Sequence, residues 1–258
     1  MHLRTSREQR GWTQDQLGAE MGYTGSHISA VETARKLPTL RFSTSSDRAL
    51  STGDKFERLW REMRNGVLLE GFPEYVGYEG RATEIRLYDI GVMPGLLQTP
   101  EYARALAEVN VRRGAITAEH ADERVSFLAQ RQAALVHHNP PMMFVVMDES
   151  CIRQCVGGAE VMGNQLDRLV EIATRPTTVL QVAPFSLGER RYFRLPVNLL
   201  TLSDRSVIAY SESQSQGHLD REPATVMPLL MTYHQLQAEA LSQAGSVAMI
   251  NEIRKGLS

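Results

Sequence analysis

A pair of adjacent carboxylates is the first feature of this sequence that could carry out chemistry. Asp148 and Glu149 end the apolar stretch PPMMFVVMDE (140–149), which is typical of a buried strand. Two carboxylates at a strand end can serve as a general acid and a general base, although solvated strand-end charges are the simpler interpretation. The sequence has no nucleophile elbow, P-loop or dinucleotide fingerprint. If the protein is an enzyme, its sequence therefore indicates no catalytic residues, no mechanism and no cofactor.

Two further residue pairs have both a chemical and a structural interpretation. His137 and His138 could bind a metal, but they precede Asn139-Pro140-Pro141, and an exposed loop is the simpler interpretation. Gly157-Gly158 precedes a predicted helix and could cradle an anion with backbone N–H groups. A strand-to-helix turn explains the glycines equally well and is favoured. We therefore predict no metal site.

Tyr88, Tyr210 and Glu212 are the candidate ligand-binding residues. All three fall in predicted strands, and in the ligand-binding interpretation they line one face of the sheet beside a pocket. Ordinary sheet positions are the alternative. The basic loop GERRYFR (188–194) carries two aromatic residues. It could contact nucleic acid or an acidic ligand, or it could be a solvated loop.

The two cysteines, Cys151 and Cys155, lie in CIRQC. This spacing is not CxxC, and no second Cys/His pair completes a zinc site. We expect free thiols in a reducing compartment. The N-terminus, MHLRTSREQRG, is polar and charged, and no apolar run approaches the roughly 18 residues of a membrane span. These features predict a cytoplasmic protein with no membrane partner.

Composition favours a folded chain with room for two domains. The 258 residues are 42% hydrophobic and 22% charged, with a net charge of -2. Bulk charge gives no reason to expect general nucleic-acid binding. The first 50 residues, however, carry seven basic against five acidic side chains. A nucleic-acid contact would therefore be local to the N-terminal region.

The N-terminal residues predict two short helices around a tight turn. TQDQLGAEM begins with Thr13 and has Gln16 three residues later, which is a capping box. Gly22 suits a left-handed helix end, and Thr24 can cap the next helix, GSHISAVETAR. The pattern is that of a helix-turn-helix. Its expected inward-facing residues are Leu17, Met21, Ile28 and Val31.

A fourth helix is expected to form poorly. In KLPTLRFSTSSDRALSTGD, Pro38 interrupts helix and the STSS run is a weak helix former. A firm amphipathic helix follows, because Phe56, Leu59, Trp60 and Met63 recur at helical spacing. We predict a head over 1–50, a connecting helix over 51–66 and a C-terminal domain over 67–258.

The C-terminal region alternates between strand and helix patterns. This alternation predicts an α/β body with a mixed sheet of about five strands, following a small all-α head. The stretches 140–149, 157–175 and 177–185 predict strand, helix and strand in a parallel crossover. The other predicted strands lie within 82–93 and in two runs around a turn at 203–206, and the other predicted helices lie after Pro100, over 118–136 and over 221–255.

These residues resemble a known family of regulators. RTSREQRGWTQDQLGAEMGYTGSHISAVETARKLPT is similar to the helix-turn-helix of the xenobiotic-response-element family, the lambda-repressor-like regulators. VMPGLLQTPEYARAL and VGGAEVMGNQLDRL resemble the C-terminal domain, of unknown function, of actinobacterial WhiJ-like regulators. The resemblance implies an antitoxin-like transcriptional regulator associated with development and secondary metabolism. Its implied partners are double-stranded DNA, a small partner protein or small-molecule ligand, and a second copy in a homodimer.

The resemblance also assigns DNA-contacting positions. Gln14 falls where relatives touch the phosphate backbone, and Arg35 and Lys36 follow the recognition helix, where they could meet phosphates. The resemblance places four further DNA-contacting residues at the start of or along the recognition helix, whose N-terminal part meets base edges: Thr24, Ser26, His27 and Ser29.

Three departures from the family pattern weaken the head. Gly25 and Ala30 stand where long polar residues are usual, Ala34 stands where glycine is usual, and FSTSSDRAL replaces a clean fourth helix. Two functions therefore stay open. The first is a DNA-binding regulator whose C-terminal domain senses a ligand or partner. The alternative is a recruited family member with a degenerate head, whose C-terminal domain is an enzyme or ligand-binding protein in secondary metabolism.

Overall fold

The computed structural model describes residues 2–33, 35–36, 38–65, 71–136, 140–213 and 217–257, with backbone alone for residue 2 and residues 61–65. The chain divides into two compact units, Met1–Leu68 and Leu69–Ser258. Each unit has its own hydrophobic core.

The N-terminal unit is all-helical in its described part. Its core joins Leu17 and Ile28 to Phe42, Leu50 and Phe56. The first two of these residues were predicted to face inward, and both are fully buried. The helices are α1 (His2–Gln9), α2 (Gln14–Met21), α3 (Gly25–Glu32), α4 (Leu40–Leu50) and α5 (Lys55–Asn65).

The predicted turn between α2 and α3 is confirmed in detail. Thr13 and Gln16 form the capping box, and Gly22 is left-handed with a φ of 74°. The Thr24 hydroxyl accepts a hydrogen bond from the His27 backbone N–H. Gly18 has a further role, since a Cβ there would lie 2.7 Å from the Tyr23 carbonyl oxygen. The absence of a side chain at this position therefore lets α2 approach the turn.

The expectation of a poor fourth helix is wrong. Residues Leu40–Leu50 form a continuous helix that begins at a Thr39 cap. Ser43 and Ser46 are buried on its inner face, where the Ser46 hydroxyl donates to the Phe42 carbonyl. Asp47 accepts the backbone N–H groups of Phe56 and Glu57 at 2.9 and 2.7 Å. Intrinsic propensity is a weak prior that tertiary contacts override, and here small side chains and a capping carboxylate fit α4 to α5.

The C-terminal unit is an α/β domain built on a mixed six-stranded sheet. Its helices are α6 (Phe72–Glu79), α7 (Pro100–Arg112), α8 (Ala118–Ala134), α9 (Glu149–Arg153), α10 (Gly158–Ala173), α11 (Pro223–Glu239) and α12 (Gln243–Lys255). Its strands are β1 (Glu84–Asp89), β2 (Met142–Asp148), β3 (Thr178–Ala183), β4 (Val197–Thr201), β5 (Val207–Glu212) and β6 (Gly217–Asp220).

The strand order is β3-β2-β1-β4-β5-β6. Strands β1, β2 and β3 are parallel, and β4, β5 and β6 add to them in antiparallel fashion. The predicted fold class is therefore confirmed, including the parallel pairing of β2 with β3. The sheet has one strand more than the roughly five expected, because the four-residue β6 gave no pattern in the sequence.

Both faces of the sheet are buried, which explains why β2 is apolar along most of its length. On one face, Ile85 and Leu87 pack in a core with residues of α7, α10 and α12. On the other face, Tyr88 and Val146 pack with residues of α11. The Tyr233 hydroxyl on α11 donates to the Phe144 carbonyl at 2.8 Å. The central strands are thus held between two helical layers. Strands β1 and β5 each end in an acidic residue, Asp89 and Glu212.

Candidate functional site

In the N-terminal unit, α3 presents only small polar side chains among the predicted base-contacting residues. Thr24 and Ser26 are exposed, and Ser29 is half-buried. The ring of His27 is instead engaged in packing, stacked on Phe42 with centroids 5.4 Å apart. The structure therefore brings the two serines to the surface of α3 and turns the histidine toward α4.

The predicted phosphate contact Gln14 belongs to a partly buried hydrogen-bonded network. Its amide donates to Glu32 Oε2 at 2.8 Å, and Arg7 Nε donates to Glu32 Oε1 at 2.7 Å. Arg7 also donates to the Trp12 carbonyl. Burial by itself would raise the pKa of Glu32, but the hydrogen bonds from Arg7 and Gln14 hold it below its usual value. The network ties α1, α2 and α3 together.

Gly25 lies against the side chain of Asp15 on α2. A Cβ at this position would lie 1.9 Å from Oδ1 of Asp15, so the glycine makes room for a carboxylate on α2. Arg35 and Lys36 are exposed directly after α3, and the Lys36 N–H donates to the Ala30 carbonyl at 3.0 Å. Two cationic side chains therefore follow the helix at the surface. Ala34, expected to be a strained position, lies outside the described residues.

The C-terminal unit contains a cavity of about 340 Å³ at one end of β1 and β5. Of the candidate ligand-binding residues, Tyr210 and Glu212 line this cavity. The expectation that Tyr88 shares their face of the sheet is wrong. Leu87 pairs with Asn198, which pairs with Tyr210, so these three share a face. Because side chains alternate along a strand, Tyr88 lies on the opposite face, where its ring packs 5.5 Å from that of Phe193.

Several polar groups converge on the cavity. Asp89 joins Glu212 in its lining, and burial, together with the Glu212 charge, raises the pKa of Asp89 to about 7. The Tyr210 hydroxyl and Asn198 Oδ1 are buried and have no hydrogen-bond partner among the described residues. Buried polar atoms are seldom left unpaired in native proteins. These two atoms therefore offer hydrogen-bonding capacity that the fold does not use.

One wall of the cavity contains Arg131, which belongs to a buried ion pair. Arg131 of α8 donates to both carboxylate oxygens of Glu79 on α6, at 2.9 and 2.7 Å. Its guanidinium lies 4.8 Å from the ring centre of Phe72, and the Tyr75 ring stacks on Tyr210 at 4.7 Å. Sequence reasoning missed this wall, because α6 and α8 are 52 residues apart at this contact.

The interpretation of Asp148 and Glu149 as solvated carboxylates is wrong, since both are buried. Asp148 accepts hydrogen bonds from the Ser150 N–H and from Arg191. Glu149 accepts the Phe185 N–H at 2.6 Å and Arg153 Nε at 2.5 Å. These structural hydrogen bonds occupy both carboxylates, which a general acid and a general base would need free.

The remaining candidate motifs also have structural partners. In GERRYFR, Arg190 pairs with Glu239 and Arg191 pairs with Asp148. Gly157 and Gly158 are left-handed, with φ of 73° and 86°, at the start of α10. They form a turn, but it follows the short helix α9 rather than a strand.

The two cysteines differ in environment: Cys151 is buried and Cys155 is exposed, both as free thiols. His137 and His138 lie outside the described residues. Within the described ranges, no three His, Cys, Asp or Glu side chains are grouped to hold a metal ion. No described helix is long and apolar enough to cross a membrane.

Two family models match this chain. A helix-turn-helix domain matches residues 1–59, and a domain of unknown function (DUF5753) matches residues 72–252. Neither a curated protein nor a solved structure matches the chain.

Proposed function

The chain belongs to the DUF5753 family, and from that premise we propose that it is a DNA-binding transcriptional regulator with a ligand-binding C-terminal domain. The helix-turn-helix domain at residues 1–59 is the observation that carries the proposal. In this reading α3 enters the major groove, as the second helix of such motifs does. Ser26 and Ser29 then face base edges, and Arg35 and Lys36 meet phosphates.

Phosphate contacts supply much of the affinity of such proteins and need only a few basic groups. The exposed Arg35 and Lys36 are suitable groups for such contacts, whereas the Gln14 amide already donates to Glu32. The proposed regulator is WhiJ-like, antitoxin-like, homodimeric and cytoplasmic, with a place in secondary metabolism. The cytoplasmic location is proposed from the DNA partner, and the other finer points rest on the family resemblance of its sequence.

A cavity with converging polar groups supports the proposal that the C-terminal domain binds a small molecule. Ligand sites in proteins are concave and combine apolar walls with a few placed polar groups. Here Phe72 and Met93 supply apolar wall, while Asp89, Tyr210 and Glu212 supply polar groups. This observation also suits the second candidate function, a ligand-binding protein whose head no longer binds DNA.

A gel-shift titration on DNA from the region upstream of the protein's own gene tests DNA binding. The wild type should bind, with affinity falling steeply between about 50 and 200 mM salt. The Arg35→Ala/Lys36→Ala variant should bind at least about tenfold more weakly, with a salt slope reduced by about two.

The matched control is Arg112→Ala/Arg113→Ala, which removes two exposed positive charges from the C-terminal unit. It should bind DNA like the wild type. Equal weakening by both double variants would contradict the phosphate contacts proposed at 35 and 36. Failure of the wild type to bind at low salt would favour the second candidate function.

A further inference from the structure

We infer that the cavity of the C-terminal domain binds a small organic cation, an amine whose ammonium group lies between the carboxylates of Asp89 and Glu212. The inference rests on the proposed ligand-binding role and names the chemical class of the ligand. It is carried by the charge of the cavity wall, by its unused hydrogen-bond acceptors and by its aromatic surface.

The first argument is the unbalanced negative charge of the cavity. Asp89 and Glu212 both line it, and no described side chain forms a salt bridge with either. The one lining cation, among the described residues, is Arg131, and it is held by both oxygens of Glu79. An anionic ligand would have to compete with Glu79 for Arg131 and would face two carboxylates. A cation meets neither obstacle, and Glu79 offsets the repulsion between the cation and Arg131.

The second argument is independent of charge. Tyr210 is 1% exposed and lines the cavity, and its hydroxyl has no hydrogen-bond partner among the described residues. Asn198 Oδ1, one strand away in direct register, is also buried and unpartnered within the described ranges. Both oxygens can accept a hydrogen bond. An ammonium group has three N–H donors and no acceptor, so it matches a site of carboxylates and unpaired oxygens.

The third argument is the apolar wall. Phe72 lines the cavity, and its ring centre lies 5.7 Å from that of Tyr210. Met93 and Leu96 complete this side. An apolar wall of this kind accepts the carbon skeleton of an amine. The geometry therefore favours an amine with an apolar or aromatic body over an inorganic cation.

The test is isothermal titration calorimetry of the full chain with 2-phenylethylamine and with the smaller n-butylamine. The matched probes are 2-phenylethanol, which is neutral, and phenylacetate, which is an anion. We expect at least one amine to bind at least tenfold more tightly than either matched probe. Equal or tighter binding of 2-phenylethanol or phenylacetate would overturn the cationic class, and so would failure of both amines to bind.

Variants locate the site. Asp89→Asn/Glu212→Gln should weaken amine binding at least about 30-fold, whereas Glu101→Gln/Glu160→Gln, at exposed positions elsewhere in the unit, should bind normally. Tyr210→Phe should weaken binding about tenfold, and the matched Tyr75→Phe, which removes a buried hydroxyl that does not line the cavity, should bind normally. Unchanged affinity in the cavity variants would place the amine elsewhere and overturn the inference.

A gel shift with and without the amine separates this inference from the proposed function. Amine binding that leaves DNA binding unchanged would uphold the cation site and contradict a sensing role. Amine binding by a chain that does not bind DNA would uphold the site and contradict the regulator. Ligand-dependent DNA binding with an anion, but not with an amine, would uphold the regulator and overturn the cation.

Discussion

Removing the charge of Glu32 should destabilise the N-terminal unit strongly. The side chains of Arg7 and Glu32 are only 10% and 2% exposed, and their nearest atoms are 2.7 Å apart. Removing one partner of a buried pair costs about 3–5 kcal/mol, because the other charge stays buried without compensation. Glu32→Gln keeps the shape and the contact to Gln14, so we expect a loss near the lower end, about 3 kcal/mol.

Urea unfolding followed by tryptophan fluorescence measures this loss selectively. Both tryptophans of the chain, Trp12 and Trp60, lie in the N-terminal unit. With a denaturant dependence of about 1 kcal/mol per molar urea for so small a unit, the midpoint should fall by about 3 M. A unit of this size has only a few kcal/mol of stability, so Glu32→Gln can leave it partly unfolded in buffer.

Two comparisons make the result interpretable. Arg7→Met/Glu32→Leu removes both charges and should recover most of the stability, since apolar replacements of buried pairs are often neutral. Glu20→Gln removes a charge at an exposed position of α2, away from this network, and should cost less than about 0.5 kcal/mol. A Glu32→Gln midpoint within 0.5 M of the wild type (an estimate of the assay's resolution, roughly 0.5 kcal/mol) would refute the reasoning.

The sign of the pH dependence follows from the lowered pKa of Glu32. An acid whose pKa falls on folding stabilises the native state above its usual pKa and loses this contribution as the pH falls through the folded value. The difference between wild type and Glu32→Gln should therefore be largest near pH 7. It should shrink as the pH is lowered below about 4, near the usual pKa of glutamate.

Two further predictions concern the C-terminal unit. Burial and Glu212 raise the pKa of Asp89 to about 7, so its ionised form opposes folding and stability falls as the pH rises from about 4 to 7. Asp89→Asn should therefore stabilise the unit by roughly 1–3 kcal/mol at pH 8 and leave its stability nearly unchanged at pH 4. Urea unfolding followed by circular dichroism measures both values. A variant that is less stable than the wild type at pH 8 would contradict the buried charge. Cys151 is buried, with a raised pKa, and Cys155 is exposed. Iodoacetamide should therefore label one thiol per native chain, and Cys155→Ser should abolish the labelling. Rapid labelling of Cys151 would contradict its burial.

Local signals predicted the ends of elements well. The capping box at Thr13 and the helix that starts at Pro100 both appear in the structure. These motifs involve residues within one helical turn, so their physics is contained in a few adjacent letters of sequence. The type and order of the main strands were predictable for the same reason.

The contacts that misled sequence reasoning are long-range. The serines of α4 look unsuited to a helix until α4 packs on its neighbours, and Asp47 acts as a cap only because α5 begins beside it. In the cavity, Arg131 and Glu79 meet across 52 residues. Tyr88 was grouped with Tyr210 because both lie in strands. Only the register of β4 between them determines which face each side chain occupies.

The composition of α3 has a consequence for the proposed DNA binding. Gly25 makes room for Asp15, and His27 stacks on Phe42. Both residues are thus used by the fold, which leaves Ser26 and Ser29 for base edges. A serine can hydrogen-bond to several bases, whereas the bidentate contacts that discriminate by about 1–3 kcal/mol need Arg, Lys, Asn or Gln. Each N-terminal unit should therefore gain affinity from the phosphate contacts of Arg35 and Lys36 and little base selectivity from α3. An operator would then be distinguished mainly by the spacing of its half-sites and the shape of its DNA.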